Sequence, residues 1–112
     1  MKYIVAIIQP YKFNAVRDAL LKQGIVGIIV SEVQGYGHED GKEEVYRGVK
    51  YEISFRPKIK LEIAINDERA DTVVEIIHKS SESGRVGDGK IFIFDLEQAV
   101  RIRTGQIGEN AV

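Results

Sequence analysis

Apolar residues recur along the chain with a period of two in some stretches and about 3.6 in others, and the switches between these periods mark the predicted elements. Four stretches rich in β-branched residues predict strands at 2–9, 25–35, 56–67 and 90–103, the last including an extension. Two stretches with helical spacing lie between them, at 14–24 and 67–81. The order β-α-β-β-α-β predicts an α+β protein of the ferredoxin-like sandwich type.

Polar residues and glycine set the expected ends of the two helices. Asn14 is expected to cap the first helix and Gly24 to end it, while Asn66 or Asp67 is expected to cap the second. Each helix carries a narrow apolar stripe that should face the sheet. The stripes comprise Val16, Ala19 and Leu20 in the first helix and Ala70, Val73, Val74 and Ile77 in the second.

The first and last predicted strands are apolar on both faces. The first strand has Ile4, Ala6 and Ile8 on one face and Tyr3, Val5 and Ile7 on the other, and the last has Ile91 and Ile93 opposite Phe92 and Phe94. Helices cover one face of such a sheet, so a monomer would expose the other face as an apolar patch. The pattern therefore predicts a closed oligomer that buries this second face.

Composition, net charge and the absence of cysteine limit the classes of protein to which the chain can belong. The chain has 112 residues, of which 44% are hydrophobic and 29% charged, so we expect one folded domain over residues 1–112. A net charge of −1 argues against nucleic acid as a partner, and the absence of cysteine excludes disulfides and thiolate chemistry. No apolar run reaches the roughly 20 residues of a membrane span, and the N-terminal stretch lacks a signal-peptide pattern. We therefore expect a cytoplasmic protein without membrane insertion.

The stretch SGRVGDGK at 83–90 approaches the phosphate-loop pattern G-x-x-x-x-G-K-[ST]. Ile91 follows Lys90, so the hydroxyl that holds magnesium in a P-loop is missing. A P-loop also lies between a strand and a helix, whereas this stretch follows a predicted helix and precedes a predicted strand. Glycine-rich backbone can still cradle an anion. The stretch predicts either a phosphate-binding loop without hydrolytic machinery or an ordinary helix-to-strand turn.

A long connection lies between the second and third predicted strands. Residues 35–57 are rich in glycine and charge, and a loop of roughly 20 residues in a compact domain is usually functional or disordered. Its second half, around 50–55, alternates weakly and can extend as a ribbon. Tyr46 and Tyr51 are expected near the loop tip, within reach of a partner or a modifying enzyme.

Three stretches in register resemble the PII family of nitrogen-regulatory signalling proteins. They are YRGVKYEISFRPK at 46–58, SGRVGDGK at 83–90 and RIRTG at 101–105, and the likeness continues from end to end of the chain. The resemblance implies a ferredoxin-like homotrimer with inward-facing sheets that binds ATP or ADP in clefts between subunits. It implies a regulator rather than an enzyme, with a mobile loop at about 37–55 that contacts a transporter or a metabolic enzyme.

The resemblance also implies site residues. The phosphate loop at 83–90 would wrap the nucleotide phosphates, and a C-terminal segment at 101–105 would reach them from the neighbouring subunit. Two arginines at i and i+2 on an extended segment would project to one side, where guanidinium forks suit phosphate. Lys58 would contact a 2-oxoglutarate carboxylate, and Tyr51 is either an acceptor for uridylylation or a partner contact only. The implied ligand-binding positions are Ile29, Gly37, His38, Lys58, Ala64, Gly87, Asp88, Gly89, Lys90, Arg101 and Arg103.

Several positions depart from the family pattern. Glu39 replaces a glutamine that holds magnesium and 2-oxoglutarate, and His38 replaces an arginine. Ile29 stands in place of a frequent threonine, Gln9 in place of a common lysine, and Asp40 makes the loop base more acidic. Glu39 can still ligate magnesium carried by ATP. However, like charges about 4 Å apart repel by about 4 kcal/mol at an effective dielectric near 20. We therefore expect ATP and ADP to bind, and 2-oxoglutarate to bind weakly or not at all.

Three other interpretations stay open. RNA-recognition motifs share the same element order, but Val49, Lys50 and Glu52 break the aromatic pattern that such motifs need. An enzyme could be built around His38 beside Glu39, although a solvated loop explains these residues better. The third alternative is a PII-like regulator of a non-nitrogen transporter or enzyme, one that senses an adenine nucleotide or another small effector rather than 2-oxoglutarate.

Overall fold

The computed structural model describes residues 1–37, 45–46, 49–50 and 55–112. Two helices and a series of strands account for most of this part of the chain. In chain order they are β1 (Lys2–Ile8), α1 (Phe13–Lys22), β2 (Ile29–Gly35), β3 (Val45–Tyr46), β4 (Val49–Lys50), β5 (Arg56–Ile65), α2 (Asp67–Ser81) and β6 (Gly89–Asp95), with 3₁₀ turns at Pro10–Lys12 and Gly108–Ala111.

The four longer strands form one sheet in the order β2-β5-β1-β6. Every neighbouring pair in this sheet is antiparallel. Both helices connect strands that are not adjacent, since α1 joins β1 to β2 and α2 joins β5 to β6. This arrangement confirms the predicted ferredoxin-like fold. The short strands β3 and β4 pair only with each other, within the long connection between β2 and β5.

The hydrophobic core lies between the two helices and one face of the sheet, which we call the helix face. The sheet contributes alternate residues because side chains of a strand point to opposite faces. The largest fully buried side chains are Ile4, Ile8, Leu61 and Ile63 from the sheet, Val16 and Leu20 from α1, Val73 and Ile77 from α2, and Ile25 from the segment before β2. Both predicted helical stripes are thus confirmed in their buried positions.

The opposite face of the sheet, which we call the open face, carries no helix among the described residues. The strand register places Tyr3, Val5 and Ile7 of β1 on this face, between alternate residues of β5 and β6. Phe92 and Phe94, opposite Val5 and Tyr3 on β6, are 45% and 53% exposed. The prediction that the first and last strands are apolar on both faces is therefore confirmed.

Three predicted boundaries are wrong. Helix α1 begins at Phe13 after a 3₁₀ turn, and its N-cap is Lys12, which makes no side-chain cap hydrogen bond, so Asn14 is not the cap. Strand β2 begins at Ile29 rather than at residue 25, because Gly24 and Gly27 have φ angles of 75° and 74° that interrupt extended backbone. The last strand ends at Asp95 rather than extending to 103.

The second helix matches its predicted range, Asp67–Ser81. Asn66 occupies the N-cap but makes no side-chain cap hydrogen bond, and its Oδ1 is buried without a partner in the described structure. Two carboxylates in the first turn, Asp67 and Glu68, complement the helix dipole instead. Neither this helix nor any other in the described ranges is long and apolar enough to cross a membrane.

Candidate functional site

The loop between α2 and β6 is shaped by the carboxylate of Asp88. Its Oδ2 accepts hydrogen bonds from the backbone N–H groups of Ser83 and Gly84 at 2.7 and 3.0 Å, and its Oδ1 accepts one from the Ser83 hydroxyl. The backbone N–H of Arg85 bonds to the Ser83 hydroxyl oxygen at 3.3 Å. The N–H groups at the start of the loop therefore hold an internal anion. The N–H groups of Ser83, Gly84 and Arg85 already have partners within the turn, so the candidates for binding a ligand are those of the second half of the loop, 87–90.

These contacts set the protonation of Asp88. The hydrogen bond from the Ser83 hydroxyl, followed by that from the Ser83 N–H, lowers the pKa of Asp88 below its ordinary value of 3.8. A depressed carboxyl pKa stabilises the turn above pH 3.8, and this contribution is lost as the pH falls through the lower, folded value.

We expect this loss to be visible in the loop amides. When NMR follows the Ser83 and Gly84 amide signals from about pH 6 to about pH 2, they should titrate with a midpoint below the ordinary carboxyl value of 3.8. Asp88→Asn is the control, and in that variant the transition should disappear. A midpoint at or above 3.8 in the wild type would contradict the hydrogen-bonded turn.

The carbonyl of Gly87 is held by two side chains from other elements. Gln9 Nε2, just past the end of β1, donates to Gly87 O at 2.7 Å, and Lys58 Nζ of β5 donates to the same oxygen at 2.9 Å. Lys58 is only 6% exposed, so its ammonium lies beneath the loop. The two donors fix the middle of the loop against the end of the sheet.

Gly89 lies against the backbone of β1. Its φ angle is 111°, and a Cβ atom added there would lie 1.8 Å from the carbonyl oxygen of Ile7. Any side chain would collide with backbone rather than with a flexible group. This position therefore needs glycine, and the close approach joins the end of the loop to the first strand.

A cleft of about 490 Å³ opens beside the loop, at the end of β1 and β6. Its volume lies within the range of about 300–1,000 Å³ that is typical of small-molecule sites. It takes residues from both faces of the sheet, since Ile7 belongs to the open face and Ile8 to the helix face. The other lining residues are His78, Ser81, Glu82, Gly84, Arg85, Asp88, Gly89, Lys90 and Ile91. His78 pairs with Glu82 at 3.1 Å in this wall.

Basic side chains gather at the loop end of the open face. Ile7 lies opposite Lys60 on β5 and opposite Lys90 on β6, so both lysines share its face. Lys58, two residues before Lys60 on β5, lies on the same face. Towards the other end this face becomes apolar, with Tyr3 and Val5. The open face thus combines a cationic end beside the loop with an apolar remainder.

The C-terminal arginines lie on a turn, and the prediction that they occupy an extended segment is wrong. Gly105 N–H donates to the Arg101 carbonyl at 2.7 Å, and Arg101 N–H donates to the Gln106 carbonyl at 2.8 Å. Gly105 closes this turn with a φ angle of 72°. Ile102 between the arginines is 99% exposed. The described part of the chain shows no hydrogen bond or ion pair from Arg101 or Arg103 to loop 87–90.

The structure brings together some of the expected positions and separates others. Lys58 and Gly87 are in contact, and Asp88, Gly89 and Lys90 line one cleft.

The other expected positions lie away from this cleft or outside the described residues. Ile29, which is 54% exposed, lies opposite Glu62 on the open face, and Ala64 lies two residues after Glu62 on β5. Gly37 lies beyond the end of β2 and is exposed. His38, Glu39 and Tyr51 lie outside the described residues, as does most of the loop around them.

Two residues that shape the loop were not among the predicted site residues. Ser83 bonds to Asp88 through both its N–H and its hydroxyl, and Gln9 bonds to Gly87. A serine five residues before an aspartate in a glycine-rich turn is a detectable local signal. The Gln9 contact spans 78 residues of sequence and leaves no local pattern.

Comparison with known proteins identifies the family of this chain. The sequence model described as nitrogen regulatory protein P-II matches residues 1–106. Two relatives named nitrogen regulatory protein P-II, from Rhizobium etli and Pasteurella multocida, are 49% and 46% identical over 100% of both chains. Nitrogen regulatory protein GlnK of Escherichia coli is 45% identical, again over 100% of both chains. The chain therefore belongs to the nitrogen regulatory protein P-II family.

Proposed function

We propose that this regulatory protein binds ATP or ADP in clefts between the subunits of a homotrimer, and that the bound nucleotide sets how its long loop contacts a target protein. The observation that carries the proposal is the pre-shaped loop 87–90. It is fixed by Asp88, by the donors on Gly87 and by the close approach of Gly89, and it opens on a cleft of about 490 Å³. A rigid loop loses little conformational entropy when it binds an anion.

The chemistry around the loop suits a polyphosphate. Backbone N–H groups of a glycine-rich turn act as fixed donors, and Lys90 adds a full positive charge at the edge of the cleft. Lys60 and Lys58 extend this charge across the end of the open face. The apolar side chains of Ile29 and Ala64 lie on the same face of the sheet, where a base can pack against them. Ile29 provides no hydroxyl for the base, which leaves shape and stacking as the main contacts.

The arginines enter the site from a second subunit in this proposal. Arg101 and Arg103 lie on an exposed turn that makes no described contact with its own phosphate loop. Guanidinium groups with few competing partners are suited to bidentate contacts with phosphate. A neighbouring copy that brings this turn to the cleft would complete the charge that a triphosphate requires.

The open face supports assembly. Phe92 and Phe94 are about half exposed, and they continue an apolar surface formed by Tyr3, Val5 and Ile7. Such a surface on a monomer is typically covered by a partner. A copy of the same chain would bring an equivalent apolar strip. The charged side chains beside the strip are Glu62, which accepts a hydrogen bond from Tyr3 at 3.0 Å, and the lysines at the cationic end, next to Ile7. The number of copies, three, comes from the resemblance to the PII family.

The proposed target of regulation is inferred from the names of the relatives. The relatives are named as nitrogen regulatory proteins, so we propose regulation of a transporter or an enzyme of nitrogen metabolism rather than catalysis. The loop at about 37–55 would make this contact. Glu39 would meet 2-oxoglutarate with a carboxylate that only accepts hydrogen bonds, so adenine nucleotide is the proposed main signal and magnesium enters only with ATP.

Calorimetric titration with ATP and with ADP tests the nucleotide site. Lys90→Ala should weaken ATP binding by about 2 kcal/mol, or about thirtyfold, the scale for removing one partner of a charge pair. Lys22→Ala is the matched control, because Lys22 is an exposed lysine in the last turn of α1, outside the cleft. Its affinity should stay within about twofold of the wild type. Equal affinities in wild type and Lys90→Ala would place the nucleotide elsewhere.

A further inference from the structure

In the phosphate loop, the backbone oxygen of Gly87 accepts hydrogen bonds from two side chains, one neutral and one charged. Gln9 Nε2 lies 2.7 Å and Lys58 Nζ 2.9 Å from Gly87 O. A carbonyl oxygen has two lone pairs, so the two bonds saturate this acceptor. Neither donor belongs to the loop, since Gln9 follows β1 and Lys58 is part of β5.

The orientation of the Gly87 carbonyl determines the direction of the Asp88 N–H. The peptide between Gly87 and Asp88 is trans and planar, because no cis peptide bond occurs in the part of the chain that the structure describes. In a trans peptide the C=O and the following N–H point in opposite directions. Holding Gly87 O down against Gln9 and Lys58 therefore turns the Asp88 N–H away from the sheet, where it can donate a hydrogen bond to a ligand anion.

The side chain of Asp88 reinforces this arrangement. Its carboxylate is committed to Ser83 and Gly84, so it cannot fold back over its own N–H or over the ligand side of the loop. Gly87 itself has a φ angle of 98°, which lets the chain reverse at this point. The loop is thus held at three consecutive places, at Gly87 O, at the Asp88 carboxylate and at the Gly89 backbone.

We propose that Gln9 is a positioning residue of the anion site: its neutral amide shares the Gly87 carbonyl with Lys58 and so aims the Asp88 N–H at the phosphates of the ligand. The inference rests on the proposed nucleotide function and adds Gln9 to the residues that would position its ligand. Gln9 adds a donor without adding a like charge.

Three variants distinguish a role of Gln9 in positioning the Gly87 carbonyl from a role in packing alone. Gln9→Met keeps the size and neutrality of the side chain but removes the donor. Gln9→Lys restores a donor on a longer, charged side chain. Gln23→Ala is the control, because Gln23 is an exposed glutamine at the other end of α1 that makes no described side-chain bond to the loop.

Carbonyl ¹³C NMR of the labelled, ligand-free protein reads the contact directly. Loss of a hydrogen bond moves a carbonyl signal upfield, so Gly87 ¹³C′ should move in Gln9→Met, return toward its wild-type position in Gln9→Lys and stay unchanged in Gln23→Ala. Calorimetry should show ATP binding weakened about fivefold in Gln9→Met, as expected for one neutral hydrogen bond. Gln9→Lys should bind ATP at least as tightly as the wild type.

The outcomes distinguish this inference from the function on which it rests. An unmoved Gly87 signal in Gln9→Met, or ATP affinity within twofold of the wild type in that variant, would overturn the role of Gln9 while leaving the nucleotide site intact. Equal weakening in Gln9→Met and Gln9→Lys would also overturn it, since packing alone would then explain the effect. A wild type that binds no ATP would overturn the proposed function, and the Gly87 signal alone would then decide whether Gln9 orients the loop.

Discussion

Phe92→Asp should dissociate the proposed trimer into monomers. Phe92 lies on the edge strand β6 and is already 45% exposed in the single chain, so the substitution should perturb the fold of one subunit little. In the proposed trimer the same position is buried, and each copy would place an unpaired carboxylate in an apolar interface. The penalty is several kcal/mol per buried ion, and a closed trimer would incur it three times.

Light scattering at micromolar concentration measures this effect. The wild type should show about three times the 12.6 kDa chain mass, and Phe92→Asp should approach the mass of one chain. Leu21→Asp is the control, because Leu21 is 50% exposed on α1, which covers the other face of the sheet. This variant should remain a trimer. A wild-type monomer, or dissociation by Leu21→Asp to the same extent, would contradict the assignment of the open face as the interface.

Gly89→Ala should be among the most damaging single-methyl additions in the chain. The added Cβ would lie 1.8 Å from Ile7 O and 2.8 Å from Ile7 C, and neither backbone atom can rotate away. Alanine would also have to adopt a φ angle near 111°. The strain of such a conformation is about 1–3 kcal/mol, and separating the ends of β1 and β6 adds to it. We expect a total loss of about 3 kcal/mol or more in the free energy of unfolding.

Gly84→Ala is the matched control for this experiment. Gly84 has a φ angle of 78° in the same loop, but an added Cβ would meet nothing within 4 Å. Only the left-handed backbone conformation is penalised, at about 1–2 kcal/mol. Urea unfolding at equal protein concentration measures both variants, because oligomerisation makes the apparent stability depend on concentration. Equal losses in the two variants would show that the close approach to Ile7 does not matter.

Hydrophobic periodicity predicted the parts of the fold whose structure follows from burial. Helix α2 matches its predicted range because its apolar stripe, including Val73 and Ile77, has to face the sheet. Strand β5 follows its alternation for the same reason, with Leu61 and Ile63 buried on the helix face. The apolar open face was also visible in the sequence, since Val5 and Phe92 interrupt what would otherwise be a polar surface.

Backbone conformation and distant contacts account for what the pattern did not predict. Gly27 ends an apolar run that resembles strand, and its left-handed backbone delays β2 to Ile29. The alternation around Ile102 resembles a strand extension, yet Gly105 closes a turn there. Ordinary amphipathic periodicity does not encode either glycine conformation. The bond from Gln9 to Gly87 depends on tertiary proximity across 78 residues, so no local pattern contains it.

Mixed trimers of two variants test whether each nucleotide site is shared between two subunits, as we propose. Subunits carrying Lys90→Ala lack the loop half of the site, and subunits carrying Arg103→Ala lack the C-terminal half. In every mixed trimer one cleft joins an intact Lys90 to an intact Arg103. Random reassembly of equal amounts should therefore restore ATP binding to about one quarter of the clefts, although each variant alone binds weakly. Recovery of about this fraction by calorimetry is the predicted result. No recovery in verified mixed trimers, with both separate variants defective, would contradict the shared site and place both residues in the cleft of one chain.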